Sequence, residues 1–151
     1  MPHPFPPRLA QVAFVVRDIE KARLRFAALL GVEPPEVVET RPGREVGLVY
    51  RGAASDAQAK LVFIELENVQ IELIEPIGGD SAWAEGLAED GERLHHLAFW
   101  TGAVSEAAEH MERQGVPMVM RGSFNDQSGE YLYFDGQKDF GCFIELLALK
   151  G

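Results

Sequence analysis

The chain has 151 residues, of which 46% are hydrophobic, and these values predict a single domain with a substantial core. A formal net charge of −10 disfavours nucleic acid and anionic lipid as partners, because both are themselves negative. Residues 1–7 lack the apolar region of a signal peptide, no apolar run approaches the ~20 residues that cross a bilayer, and the single cysteine fits a reducing compartment. We therefore expect a cytoplasmic protein without a membrane partner.

The first half of the chain is predicted to run from a strand into a helix and then into several strands. Residues 11–16 form an apolar strand. Asp18 is the predicted N-cap of a helix over residues 19–30, which ends at Gly31. Further strands are predicted at 36–40, 45–50, 60–66 and 69–75, before Pro76. Residues 77–93 then form a connector, with a short helix over 81–88 capped by Ser81.

The same order of elements recurs in the second half. A strand is predicted at 94–101, followed by a helix over 104–114 that ends at Gly115. Strands at 116–120, 130–135 and 141–149 complete the chain. A polar loop is expected over 122–129. The pattern predicts two similar modules, residues 8–76 and 94–149, within one domain.

An internal repeat strengthens this division. The stretch that begins at Gln11 (QVAF) matches the stretch that begins 85 residues later at His96 (HLAF). Likewise Glu72 lies in IELI, and Glu145, 73 residues later, lies in IELL. If the modules pack with approximate twofold symmetry, all four polar side chains meet at one point.

Each of these four polar residues lies in an otherwise apolar strand. An unpaired buried carboxylate costs several kcal/mol, roughly, so a pair of them calls for a cation. One imidazole, two carboxylates and an amide oxygen suit zinc, nickel, cobalt or manganese. The sequence thus predicts a divalent metal site. The alternatives are a hydrogen-bonded polar residue at a strand start for Gln11, exposure on an edge strand for Glu72 and Glu145, and a core histidine for His96. His95 is expected to point to the opposite face of the strand and to be structural.

The repeat and the stretches LHHLAF (94–99), IELIEP (71–76) and IEL (144–146) resemble the vicinal-oxygen-chelate superfamily over about residues 9–149. This superfamily includes glyoxalase I, methylmalonyl-CoA epimerase, extradiol dioxygenases and fosfomycin-resistance proteins. The resemblance implies an α+β fold of two βαβββ modules that form a curled mixed sheet around a metal cleft. It implies the metal ligands Gln11, Glu72, His96 and Glu145, a set similar to that of zinc-type glyoxalase I.

The resemblance also implies a function. It predicts a metal-dependent isomerase, epimerase or lyase of the glyoxalase I or methylmalonyl-CoA epimerase type, which moves a proton next to a metal-chelated carbonyl through an enolate or enediolate. Glu72 and Glu145 would be catalytic, the substrate would be a small molecule with adjacent oxygens, and the protein would form a homodimer. The alternative is a metal-free binding protein of the bleomycin-resistance kind. An extradiol-type dioxygenase is less favoured, because it needs two histidine ligands.

The sequence departs from the resemblance in two places. Related epimerases carry a further glutamate base on a first-module strand, whereas residues 60–64 here contain no acid before Glu65. The paired arginines expected for glutathione are not identified either. Among aromatic residues, Tyr131, Tyr133 and Phe134 could line the cleft or pack in the core, and Trp83 and Phe124 lie in segments that could cover it.

Overall fold

The computed structural model describes residues 2–150 of the chain. Its first half contains β1 (Gln11–Val15), α1 (Ile19–Leu30), β2 (Val38–Glu39), β3 (Val49–Tyr50), β4 (Ala53–Ala54), β5 (Gln58–Glu65) and β6 (Gln70–Ile77). Its second half contains α2 (Leu87–Asp90), β7 (Arg93–Trp100), α3 (Val104–Arg113), β8 (Met118–Ser123), β9 (Gly129–Phe134), α4 (Gln137–Phe140) and β10 (Phe143–Leu149).

All of these strands belong to one ten-stranded mixed sheet, in the order β2-β5-β6-β1-β7-β10-β9-β8-β3-β4. In each half the first strand pairs in parallel with the last: β1 with β6, and β7 with β10. The halves join where β1 and β7 pair antiparallel. The sheet curls into a half-barrel with few helices. The predicted fold class, an α+β arrangement of two βαβββ modules, is confirmed.

The two longer helices cover the outer face of the sheet. Helix α1 has the predicted bounds: the Asp18 side chain accepts a hydrogen bond from the backbone N–H of Lys21 at 3.1 Å, and Gly31 ends the helix at φ +69°. Ile19 is fully buried in a cluster with Val62 and Leu73. Burying a side chain of this size stabilises the fold by about 1.5–3 kcal/mol. Helix α3 packs in the same way against β8 and β10.

A further apolar cluster lies on the concave side of the sheet, where the strands curl towards each other. It combines residues from both halves and from the connector: Ala13, Val46, Leu48, Ala57, Ala59, Ile74, Ala82, Trp83, Val119, Met120, Tyr133 and Phe143. The connector is therefore packed into the inside of the half-barrel.

Two predicted elements were wrong. The strand expected at 45–50 is a 3₁₀ turn at Gly43–Glu45 followed by the short β3, because Gly47 adopts φ +64° and interrupts the extended backbone. The helix expected at 81–88 is a turn, although the Ser81 hydroxyl does accept from the N–H of Ala84 at 3.1 Å. Gly86, at φ +78°, breaks this segment, and the helical turn α2 begins only after it.

The first half is longer than the second because it contains the β3–β4 hairpin. Arg51 and Gly52 both have positive φ, as a two-residue type I′ turn requires. Strand β3 pairs with β8, at the far end of the second half. Residues 40–48 therefore lead from one end of the curled sheet to the other. No helix among residues 2–150 combines the length and apolar composition that a membrane span needs.

Candidate active site

The four candidate ligands lie on four adjacent strands of the sheet, and their side chains meet on its concave side. All four are almost completely buried. They are Gln11 on β1, Glu72 on β6, His96 on β7 and Glu145 on β10. The structure thus brings together every residue of the predicted metal site.

Two alanines create the space in which these side chains meet. Ala98 is the register partner of both Gln11 and Glu145, and so lies between them. Ala13 is likewise the register partner of both Glu72 and His96. Both alanines are fully buried. Because paired strands are only ~4.8 Å apart, longer side chains can touch across an alanine but not across a bulky residue. The sequence prediction missed this pair, although the 85-residue offset that relates Gln11 to His96 also relates Ala13 to Ala98.

His96 is at the centre of the group. Its Nε2 atom lies 2.7 Å from Oε1 of Gln11, 3.2 Å from Oε1 of Glu145 and 3.4 Å from Oε1 of Glu72. Three oxygens from three different strands therefore surround one imidazole nitrogen.

The side chains around His96 Nε2 direct hydrogen-bond acceptors, and not donors, towards that atom. The Gln11 amide donates from Nε2 to Oε1 of Gln70 at 2.6 Å, which leaves its own Oε1 facing His96. Gln70 in turn donates to Glu65. Oε1 of Glu72 is buried without a hydrogen-bond partner among residues 2–150. Since a buried acceptor without a donor costs roughly 1–3 kcal/mol, the group is incomplete as it stands.

This donor set fits a divalent cation chemically. Across the described part of the chain, no three His, Cys, Asp or Glu side chains already enclose a space for an ion. Two ligands that each bind a shared cation at 2.0–2.2 Å are about 3.0–3.4 Å apart. The separations from His96 Nε2 to Glu145 and Glu72, 3.2 and 3.4 Å, meet that condition, whereas the 2.7 Å separation to Gln11 is too short. The Gln11 oxygen would therefore have to move away from His96 Nε2 to share a cation with it.

The prediction that His95 points away from His96 was wrong. The register pairs Ala13 with His96 but Phe14 with Leu94, so His95 is the extra residue of a β-bulge. The bulge brings the two imidazoles to the same side, with their Nδ1 atoms 2.8 Å apart. The register between β1 and β7 depends on tertiary pairing, and alternation along one strand could not have indicated it.

Burial sets the protonation of the surrounding groups. Burial, and then the negative charge of Glu145, raises the pKa of Glu72 well above its usual value. Burial, and then the neighbouring His96, lowers the pKa of His95 to about 3, so this ring is neutral at pH 7. Burial and the two carboxylates raise the pKa of Tyr133, which keeps its phenolic proton.

Three of the four candidate ligands, Gln11, Glu72 and Glu145, line a cavity of about 420 Å³, whereas His96 is fully buried and is not part of its wall. Six aromatic side chains line its wall: Phe63, Trp83, Trp100, Phe124, Tyr131 and Tyr133. Trp83 Nε1 donates to the Tyr133 hydroxyl at 3.2 Å. Phe134 instead packs with the α3 cluster on the outer face. Within residues 2–150, no lysine or arginine lines this cavity.

The strand on which related epimerases carry a further base has an apolar inner face here. Leu61 and Phe63 line the cavity, whereas Glu65 is exposed at the end of β5 and is held by Gln70. Asp126, the third acid along the cavity wall, lies in a surface turn, where it accepts from the N–H and hydroxyl of Ser128. Among the described residues, the buried acids at the cavity are thus the two candidate ligands.

Two loops are tied together beside the cavity. The Asn125 side chain accepts from the N–H of Arg41 at 2.9 Å and donates to the carbonyl of Glu39 at 3.0 Å. Arg41 also donates to the Asn125 carbonyl at 3.1 Å. The 124–128 loop is therefore fixed to the segment that follows β2.

Residues 10–134 match the glyoxalase/bleomycin resistance protein/dioxygenase superfamily. The chain belongs to this superfamily. The resemblance seen in the sequence to the vicinal-oxygen-chelate superfamily is thereby confirmed.

The individual relatives named below are each less than 30% identical to this chain. The chain is 28% identical over 145 residues to an ethylmalonyl-CoA/methylmalonyl-CoA epimerase of Cereibacter sphaeroides, an alignment that covers 92% of this chain and 96% of the other. It is 25% identical to an uncharacterised protein of Bacillus subtilis, with 95% and 94% covered. The crystal structure of methylmalonyl-CoA epimerase from Mycobacterium tuberculosis superposes with a TM-score of 0.66 at 19% identity, covering 100% of this chain and 93% of the other. This last similarity concerns the fold.

Proposed function

We propose that the protein is a metal-dependent enzyme of the isomerase, epimerase or lyase type that moves a proton on a carbon next to a carbonyl group. The observation that carries the proposal is the convergence of three buried oxygens on His96 Nε2, one of which, Oε1 of Glu72, has no hydrogen-bond donor among the described residues. The relatives named methylmalonyl-CoA epimerase support the reaction type. The preferred substrate is a small molecule with two adjacent oxygens.

Gln11, Glu72, His96 and Glu145 would hold the metal. Zinc, nickel, cobalt and manganese are all compatible with these ligands. When bound, the divalent cation would act as a Lewis acid towards substrate oxygens and so acidify the neighbouring C–H.

The protein itself would supply the base. Glu72 is buried beside Glu145, and this environment makes it more basic than a surface glutamate. We assign both carboxylates as ligands at rest and as the general bases in turnover, because the other acids near the cavity are exposed or engaged elsewhere. The aromatic wall would exclude water from the reacting carbon.

Methylmalonyl-CoA is the first substrate to test, because relatives named methylmalonyl-CoA epimerase align with 92% of this chain. The hemithioacetal of glutathione and methylglyoxal is the second. No lysine or arginine among the described lining residues offers a counter-charge to the phosphates of CoA or to the carboxylates of glutathione, so the charged groups of either molecule would lie outside the cavity.

The test is deuterium exchange from solvent into the substrate carbon, followed by mass spectrometry. Protein loaded with each of the four metals should exchange the proton of at least one of these substrates. Glu145→Gln should keep its metal but exchange about 10²–10⁴-fold more slowly, as expected for the loss of a general base. Glu67→Gln, at an exposed position, is the matched control. A Glu145→Gln protein that holds metal and exchanges at the wild-type rate would exclude Glu145 as the base.

A metal-free binding protein is the second candidate. The six aromatic side chains along the cavity are the observation that favours it, because they could hold an apolar ligand without any chemistry. Metal analysis of protein purified without chelators separates the two candidates, since a sequestering protein would contain none.

A further inference from the structure

We infer that His95 is a positioning residue that fixes the tautomer of His96 and thereby presents the His96 Nε2 lone pair to the cation. This inference rests on the proposed function, because it concerns the same metal site. It is carried by two short contacts of the His95 ring and by the β-bulge that makes them possible.

The first contact decides where His95 carries its proton. Its Nε2 atom lies 2.8 Å from the backbone carbonyl oxygen of Ala82. A carbonyl oxygen can only accept, so His95 Nε2 must be the donor. A neutral His95 then has a lone pair on Nδ1.

The second contact, between His95 and His96, determines which nitrogen of His96 carries a proton. The two Nδ1 atoms are 2.8 Å apart, a distance at which one must donate to the other. Since His95 Nδ1 is the acceptor, His96 Nδ1 carries the proton. His96 Nε2 lies 2.7 Å from the Gln11 amide oxygen, which can only accept, so this nitrogen donates in the metal-free protein. A cation bound next to Gln11, Glu72 and Glu145 would take the place of that proton, because the contact with His95 keeps the other proton on Nδ1.

Apolar packing encloses both rings and holds them in this arrangement. The two imidazoles are buried, with relative exposures of 1% for His95 and 0% for His96. His95 packs between Phe143 and Tyr133, at ring-centroid distances of 5.0 and 5.6 Å. A metal-ligating histidine commonly has its second nitrogen held by an outer acceptor, and here that acceptor is another imidazole.

The carbonyl that anchors the chain of contacts is itself fixed. Ala82 is fully buried, its N–H points to the Met120 sulfur at 3.4 Å, and the adjoining Ser81 and Trp83 are buried as well. The connector between the two halves of the sheet is thus linked to His96 through the Ala82 carbonyl oxygen and the His95 ring. This gives the segment a role that its sequence did not indicate.

Two variants of His95 separate positioning from packing. His95→Leu replaces the imidazole with an apolar side chain of similar size and so removes the acceptor for His96 Nδ1–H. His95→Asn places a carbonyl oxygen near the position of Nδ1 and can still accept. We expect His95→Leu to bind zinc about 10–100-fold more weakly than wild type and His95→Asn to recover most of the loss. His110→Leu, at a histidine on α3 away from the site, should bind zinc like wild type.

The tautomers are read independently of metal by ¹⁵N chemical shifts of the histidine rings in metal-free wild-type protein. We expect the proton of His95 on Nε2 and a proton on Nδ1 of His96. A proton on His95 Nδ1, or zinc affinity of His95→Leu equal to that of wild type, would overturn the inference. If His95→Leu does not fold, the His95→Asn titration and the wild-type spectrum decide. Wild-type protein that binds none of the four metals would instead refute the proposed function, while the spectrum would still test the tautomers.

Discussion

Replacing Glu72 with glutamine should stabilise the metal-free protein. Oε1 of Glu72 is buried without a donor from residues 2–150, and the carboxylate faces a second carboxylate, Glu145, across the same imidazole. The amide introduced by Glu72→Gln would bring N–H donors and no charge into a group made of lone pairs. A buried acceptor without a partner costs roughly 1–3 kcal/mol. For a chain of this size, each kcal/mol shifts Tm by about 2–4 °C, so Tm should rise by about 2–12 °C.

The assay is thermal and urea unfolding in EDTA and in excess zinc. At 100 times its Kd, zinc should stabilise wild type by about 2.7 kcal/mol, or about 5–11 °C. Glu72→Gln should gain less from zinc, so its advantage in EDTA should shrink or reverse. Glu67→Gln makes the same change of charge at an exposed position and should stay within about 0.5 kcal/mol of wild type. A Glu72→Gln protein that is less stable than wild type in EDTA would refute the reasoning.

The same buried carboxylate gives the metal-free protein a defined pH dependence. The pKa of Glu72 is raised in the folded state, by burial first and by Glu145 second, so the folded protein holds this proton more tightly than the unfolded chain. Its contribution to the free energy of unfolding is therefore lost as pH rises from the unfolded pKa through the folded one. The difference between wild type and Glu72→Gln in EDTA should widen from pH 5 to pH 8 and vanish in acid.

Two further predictions concern the space between the ligands and the assembly. Ala13→Val should weaken zinc binding, because its methyl groups enter the gap between Glu72 and His96, and the overpacking should lower the free energy of unfolding by roughly 1–3 kcal/mol. The control Ala148→Val, on the other face of β10, should bind zinc normally. Equal zinc affinities for the two variants would contradict the role of Ala13. A homodimer is predicted because superfamily members commonly pair modules across chains; light scattering that shows only monomer at working concentration would count against it.

Much of the fold and of the candidate site could be predicted because both depend on local patterns. Apolar strands with one polar residue each, and a repeat that equates Gln11 with His96 and Glu72 with Glu145, were enough to expect convergence. The structure places the four on adjacent strands, in matching registers. Period-2 alternation also separates Tyr131 and Tyr133, on the cavity side of β9, from Phe134 on the outer side.

What could not be predicted depends on contacts between distant parts of the chain. The bulge at His95 exists only in the register of β7 against β1. Val46 and Leu48 alternate like a strand, but Gly47 breaks the extended backbone between them. The carbonyl of Ala82 comes from a connector whose path is set by packing inside the half-barrel, and no local pattern marks it.

Metal content tests the central claim most directly. Wild-type protein purified without chelators, then equilibrated with zinc and desalted, should retain one zinc ion per chain by elemental analysis. His96→Ala should lose most of it while keeping its far-UV circular dichroism and cooperative unfolding, and His110→Ala should retain it. Full zinc content in folded His96→Ala protein would contradict the assignment of Gln11, Glu72, His96 and Glu145 as one metal site.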